Sequence, residues 1–143
     1  MFTKAIVTIP CAAIVHGLGS ANLGTVSYQN ALIQHKDYIS ALKECGLSVN
    51  VLPADESFPD SVFVEDTALL TPSCAILTHP GAPTRRGETD SIETSLSCFY
   101  DHIEYIVTPG FVEAGDIMMV GDHYYIGLSE RTNRHGAEQM IAI

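Results

Sequence analysis

The spacing of apolar positions changes several times along the chain, and each change marks an element. Lys4 leads into AIVTI, where Val7, Thr8 and Ile9 favour a strand that Pro10 interrupts. A glycine-rich loop follows, HGLGSANLG (His16 to Gly24). SYQNALIQHKDYISALKECG, Ser27 to Gly46, then places Ala31, Leu32, Tyr38, Ile39, Ala41 and Leu42 at helical spacing and closes on a glycine. The next apolar run, LSVNVLP, is again a strand.

Two later stretches repeat one another. Asp66 opens DTALLTPSCAILT, and about fifty residues on Asp116 opens DIMMVGDHYYIGL. Each predicts a strand, a two-residue turn (Pro72-Ser73 and Asp122-His123) and a second strand. A polar, arginine-bearing loop and a helix start come after both, in PTRRGETDSIETSLSCFY and in RTNRHGAEQMIAI. Glu88 and Glu138 fall at the same spacing, and matching phrases, VFVED and FVEAGD, precede the hairpins. The second helix leads into IEYIVTP as the first leads into LSVNVLP. The unit is strand, strand, helix, strand at a period of about fifty residues, which predicts an α+β fold of radial or stacked repeats.

FPDSVFVEDTALL (Phe58 to Leu70) reads as a core strand, with Asp60, Glu65 and Asp66 where a strand should be dry. An unpartnered buried carboxylate costs several kcal/mol, so a cation, a donor or a ligand has to compensate it. In the repeat, Glu65/Asp66 and Glu113/Asp116 take equivalent places at hairpin starts, which converge on the axis of a radial array. Such acids suit a planar guanidinium. The arginine-bearing loops, Arg85/Arg86 and Arg131/Arg134, would then grip a carboxylate at the other end of the same ligand. Taken singly, an aspartate at a strand end also reads as a turn or cap residue, and an arginine before a helix as a solvated side chain.

Composition narrows the field. The chain of 143 residues is 46% hydrophobic and 17% charged, as a folded domain is. Seven basic against seventeen acidic residues, net −10, argue against nucleic acid or an anionic membrane as partner and accommodate a cationic small molecule. Cys11, Cys45, Cys74 and Cys98 form no CxxC pair, and the six histidines make no metal-ligand spacing, so no metal or other cofactor is expected. Free thiols and the want of a targeting signal or a membrane-length apolar run point to a cytoplasmic setting.

FPDSVFVEDTALL, HPGAPTRRGET, VEAGDIMMVGDHYYIGLSERTN and HGLGSANLG together resemble the dimethylarginine dimethylaminohydrolase family, in its bacterial form, along essentially the whole chain. The resemblance implies the five-bladed β/α-propeller (pentein) fold of the guanidino-group-modifying enzymes. Residues 1–143 would form one partial propeller domain, with about two and a half to three blades. It also implies hydrolysis of N-methylated arginine to citrulline and methylamine or dimethylamine through a cysteine-bound thiouronium, without a cofactor.

Position by position, Glu65 and Asp66 match acids that hold the guanidinium, and Asp60 an acid near the substrate's ammonium group. Arg85 and Arg131 match arginines that grip its carboxylate. Glu113 matches the acid that orients the catalytic histidine, and Leu18 a residue of the water-excluding lid. The resemblance puts that histidine and the nucleophilic cysteine downstream of residue 143. None of the cysteines or histidines here stands in their motifs, so this chain alone is expected to lack turnover and its uncovered blade edges to favour self-association. The alternatives are a truncated relative that binds an arginine-like ligand without turnover, or acts as an interaction module, and an arginine deiminase.

Overall fold

The computed structural model of the chain describes residues 2–19 and 24–143, and it divides into two compact units, Met1–Val64 and Glu65–Ile143. In the first, β1 (Lys4–Thr8) pairs in parallel with β2 (Ser48–Leu52), from Lys4 opposite Ser48 to Thr8 opposite Leu52. Parallel strands need a crossover, and α1 (Tyr28–Glu44) supplies it. Ser27 caps α1 by accepting the Asn30 N–H at 3.3 Å, and Gly46, at φ +84°, lets the chain turn out of the helix. The inward stripe is narrower than the apolar pattern suggests. Ala31, Leu32, His35, Ile39 and Leu42 are half-buried, whereas Tyr38 and Ala41 are exposed.

The second unit contains one complete strand–strand–helix–strand repeat. β3 (Ala68–Leu70) pairs antiparallel with β4 (Ala75–Leu77), and β4 pairs in parallel with β5 (Ile103–Tyr105). α2 (Glu88–Leu96) links β4 to β5 and buries Ile92 and Leu96. All three residues of the central strand β4 are buried, as a strand covered on both faces must be. A second hairpin, β6 (Ile117–Val120) and β7 (His123–Ile126), is followed by α3 (Arg134–Ala142). Cys74, Ile76, Ile106, Val112 and Met140 form the core, with Leu69, Ile117 and Ile126 packed against it. The mixed strand and helix order agrees with the expected α+β class.

Three local expectations change. Val62 and Phe63 are not strand; Val64–Thr67 is a short 3₁₀ turn, and pairing begins only at Ala68. The phrase before the second hairpin does the same over Ala114–Asp116, so each hairpin is entered through a tight turn carrying acids. The second hairpin turns at Gly121-Asp122, one position before the expected Asp122-His123, because Val120 opposes His123 and Gly121 supplies φ +60°. Glu88 and Glu138 are not equivalent: Glu88 opens α2 and is buried, whereas Glu138 lies inside α3 and is exposed.

Both faces of the second hairpin are open, with Met118, Met119, Val120, Tyr124 and Tyr125 exposed. Among the described residues, no helix is long and apolar enough to cross a membrane. α3 approaches the core so closely at Gly136 that an added Cβ would collide with the Phe111 carbonyl and the Val112 side chain. Gly136→Ala is therefore expected to destabilise the second unit by roughly 1–3 kcal/mol, measured as a lowered urea midpoint at unchanged slope.

Candidate functional site

Five sequence motifs place the candidate residues, which fall in two groups, one in each unit. In the first unit, HGLGS and FPDSVFVED meet through Asp60. Its buried carboxylate accepts the Leu18 N–H, at 2.9 Å to Oδ1 and 3.2 Å to Oδ2. A Cβ at Gly17 would press on the same carboxylate, so the glycine permits the close approach. Glu56 accepts the Ala12 and Ala13 N–H groups at 2.9 and 3.0 Å and caps the short 3₁₀ helix Ala12–His16 that leads into this loop. The Leu18 side chain is exposed. Ser20 to Leu23, the middle of the expected lid, lie outside the described residues.

In the second unit the chemistry gathers around Arg85, which is only 2% exposed. RRGE explains its position. Gly87, at φ +103°, is the N-cap of α2 and turns the chain so that Glu88, the first helical residue, faces back to Arg85. Arg85 Nε donates to Glu88 Oε1 and Oε2 at 3.2 and 3.0 Å, and Nη2 donates to Oε2 at 2.7 Å. Its Nη1 donates to Asp66 Oδ2 at 2.5 Å, and Glu113 Oε2 lies 3.9 Å from the same nitrogen. Burial alone would ease the proton off the guanidinium. The hydrogen bonds and charges of Glu88 and Asp66 outweigh that effect and hold Arg85 firmly protonated.

VEAGD brings the second acid. Val112 is locked in the core, and the Glu113 N–H donates to Thr132 Oγ1 at 3.2 Å. The Gly115 N–H donates to Asp66 Oδ1 at 3.1 Å, an approach that a Cβ at Gly115 would block. Both Asp66 oxygens are thus engaged, one by a guanidinium and one by a backbone amide. Asp116 serves the scaffold: its Oδ2 accepts Ser129 Oγ–H at 2.7 Å and Thr132 Oγ1–H at 2.6 Å.

SERTN completes the site by a turn in which Ser129 Oγ accepts the Arg131 and Thr132 N–H groups at 2.9 and 3.1 Å. Asn133 then caps α3 through Gly136 N–H at 2.7 Å. Between them Arg131 reaches Glu113 Oε2 with Nη1 at 3.1 Å while its side chain stays 52% exposed. Glu113 is buried, and its other oxygen, Oε1, has no hydrogen-bond partner among the described residues. Asp66, Glu113, Gly115, Asp116, Ser129, Glu130 and Arg131 line a cleft of about 400 Å³.

Of the expected residues in this unit, Asp66, Arg85, Glu113 and Arg131 are brought together, whereas Glu65, expected to be dry, is exposed beside Asp66 and does not line the cleft; the two arginines also differ. Arg131 is open at the cleft, whereas Arg85 is enclosed by acids. Arg86 and Arg134 are exposed. Glu88 was missed as a member of the site; the only signal for it was an acid placed directly after the Gly87 helix start. Among the described residues no cluster of ligating side chains could hold a metal ion.

The α+β fold, with its acid-lined cleft, is that of the pentein class. A family model described as N,N dimethylarginine dimethylhydrolase, eukaryotic, matches residues 21–142. The dimethylarginine dimethylaminohydrolase of Pseudomonas aeruginosa is 56% identical over 100% of this chain and 57% of its own length. That of Streptomyces coelicolor is 36% identical over 97% of this chain and 54% of its own. The solved structure of the Pseudomonas aeruginosa enzyme complexed with citrulline superposes with a TM-score of 0.97 at 55% identity, covering 99% of this chain and 56% of that one. The N-terminal domain of a cyanobacterial arginine dihydrolase shares the fold alone, with a TM-score of 0.83 at 18% identity. The chain belongs to the dimethylarginine dimethylaminohydrolase family. It spans a little over half the length of these relatives.

Glu65 gives the site a measurable pH signature. Glu65 is exposed as a whole, yet partial desolvation of its carboxyl raises its pKa and the Asp66 charge adds to the rise, while a backbone hydrogen bond and Arg85 oppose it. The folded state therefore holds this proton more tightly than the unfolded state. The resulting stabilisation is complete below the ordinary glutamate pKa and is lost as pH rises through the raised value. Glu65→Gln should remove that loss: from pH 4 to pH 7 the variant is expected to gain stability over the parent, read from urea midpoints at both pH values.

Proposed function

We propose that this chain supplies the substrate-recognition part of an amidinohydrolase that converts N-methylated arginine to citrulline and methylamine or dimethylamine. The observation that carries the proposal is Glu113. It is buried, Arg131 takes one of its oxygens, and the other has no hydrogen-bond partner among the described residues, at a cleft of net acidic lining. Leaving a buried acceptor unsatisfied costs on the order of 1–3 kcal/mol, so the geometry favours a site completed by an incoming N–H group. In this reading that group is a catalytic imidazole, which Glu113 orients and whose charged form it supports.

Asp66 and Glu65 stabilise the cationic headgroup. Arg131, the arginine open at the cleft, receives the substrate carboxylate by a charge-assisted contact. Arg85 enters as the buried counter-ion that fixes Asp66. In the first unit, Asp60 and Leu18 are assigned the ammonium contact and the lid.

The reaction replaces the alkylamine on the guanidinium carbon by the oxygen of water. A thiolate attacks that carbon, the amine leaves with a proton from the imidazole, and water resolves the thiouronium to citrulline and restores the thiolate. No cysteine or histidine of this chain is assigned to these steps.

Two substitutions test the recognition roles by calorimetric titration with N,N-dimethylarginine and with methylguanidine, which carries no carboxylate. Asp66→Asn should weaken both ligands, by roughly 2–4 kcal/mol for the amino acid. Arg131→Ala should weaken only dimethylarginine. Equal losses for both ligands on Arg131→Ala would remove that residue from the carboxylate contact, and unchanged binding by Asp66→Asn would remove Asp66 from the cation site.

A further inference from the structure

We infer that Glu88, which makes none of the proposed substrate contacts, sets the charge balance of the cleft by cancelling Arg85, and so makes the site discriminate a cationic headgroup from a neutral one of the same shape. The inference rests on the reading of the cleft as a guanidinium site and assigns a specificity role within it.

Its basis is the division of the Arg85 guanidinium between its neighbours. Glu88, 3% exposed, covers the Nε and Nη2 edge with both carboxylate oxygens at 2.7–3.2 Å. That leaves Nη1 for Asp66 at 2.5 Å, with Glu113 at 3.9 Å. The buried group thus holds three carboxylates, Asp66, Glu88 and Glu113, against the single guanidinium of Arg85. It carries two excess negative charges, and half of that excess disappears without Glu88. Arg131 and Glu130 are exposed, where screening weakens them, and Asp116, half-buried like Asp66, keeps its carboxylate on the Ser129 and Thr132 hydroxyls.

Glu88 does not line the cleft. Its influence runs through Arg85. With Glu88 in place, the positive charge of Arg85 is already matched on its far side, and Asp66 and Glu113 keep their attraction for a second cation. With a neutral residue there, Arg85 would compensate those two acids more fully, and an incoming guanidinium would compete with it. A mere packing role for Glu88 predicts no such dependence on ligand charge.

The rescue design separates the two roles. Glu88→Gln keeps shape and removes the charge. Glu88→Asp keeps the charge and leaves Arg85, which fixes Asp66, in place. The first readout needs no ligand: the Glu65 carboxyl is titrated by carbon-13 NMR. Its raised pKa, which Arg85 opposes, should fall in Glu88→Gln and stay near the parent value in Glu88→Asp. The second readout is the affinity ratio of N,N-dimethylarginine, a cation, to citrulline, which is neutral. It should drop on the order of tenfold in Glu88→Gln, the scale of one buried charge at this range, and stay near the parent ratio in Glu88→Asp.

An unchanged Glu65 titration and ratio in Glu88→Gln would overturn the inference, as would a Glu88→Asp variant as impaired as Glu88→Gln. If Glu88→Gln does not fold, Glu88→Asp decides alone: loss of its cation preference with the charge kept overturns the proposal and retention supports it. If the Glu65 titrations follow expectation while the parent binds neither amino acid, the charge-balancing role of Glu88 stands and the substrate reading fails.

Discussion

One guanidinium held away from water organises the second unit. Arg85 joins the 3₁₀ turn before the first hairpin, the start of α2 and the acid ahead of the second hairpin, through Asp66, Glu88 and Glu113. A charge in that position is tolerable only with close partners, since desolvation costs several kcal/mol per ion. Glu88 and Asp66 supply them at hydrogen-bond distance. The acids gain as much as the arginine does: without it, three carboxylates would repel one another in a partly dry space.

The repeat brings this about. Both hairpins begin after a 3₁₀ turn that carries acids, and Asp66 of the first turn accepts the Gly115 N–H of the second. The equivalent aspartates have diverged in task. Asp66 joins one repeat to the next and to the arginine, whereas Asp116 ties its own hairpin to the turn Ser129–Thr132 and thereby sets where Arg131 leaves the backbone. Glu113 connects the inner and outer arginines, and its Oε1 has no hydrogen-bond partner among the described residues.

Much of this was legible in the chain. Apolar runs, the helical spacing from Ala31 to Leu42 and the closing Gly46 located the hairpins and α1, and the recurrence of VFVED and FVEAGD joined the two sets of acids before any geometry was known. What the pattern hid is what depends on tertiary placement. Residues Val62 and Phe63 have strand propensity, but a tight turn follows them. Gly121-Asp122 and Asp122-His123 are both polar turn pairs, and only the positive φ that glycine supplies decides between them. Arg85 and Arg86 are adjacent and chemically alike, so sequence alone does not say that one is enclosed and the other exposed. Glu88 reads as an ordinary acid at a helix start, a common and favourable placement there, and its burial against Arg85 becomes visible only in three dimensions.

The most direct test of the central claim is amide hydrogen exchange at Gly115, whose N–H reports whether Asp66 is held in place. With Arg85→Met, Gly115 exchange should accelerate by an order of magnitude or more, relative to roughly unchanged protection in β1 and β2. Gly115 protection equal to the parent's in that variant would show that Asp66 keeps its position without the buried guanidinium, and would contradict the account.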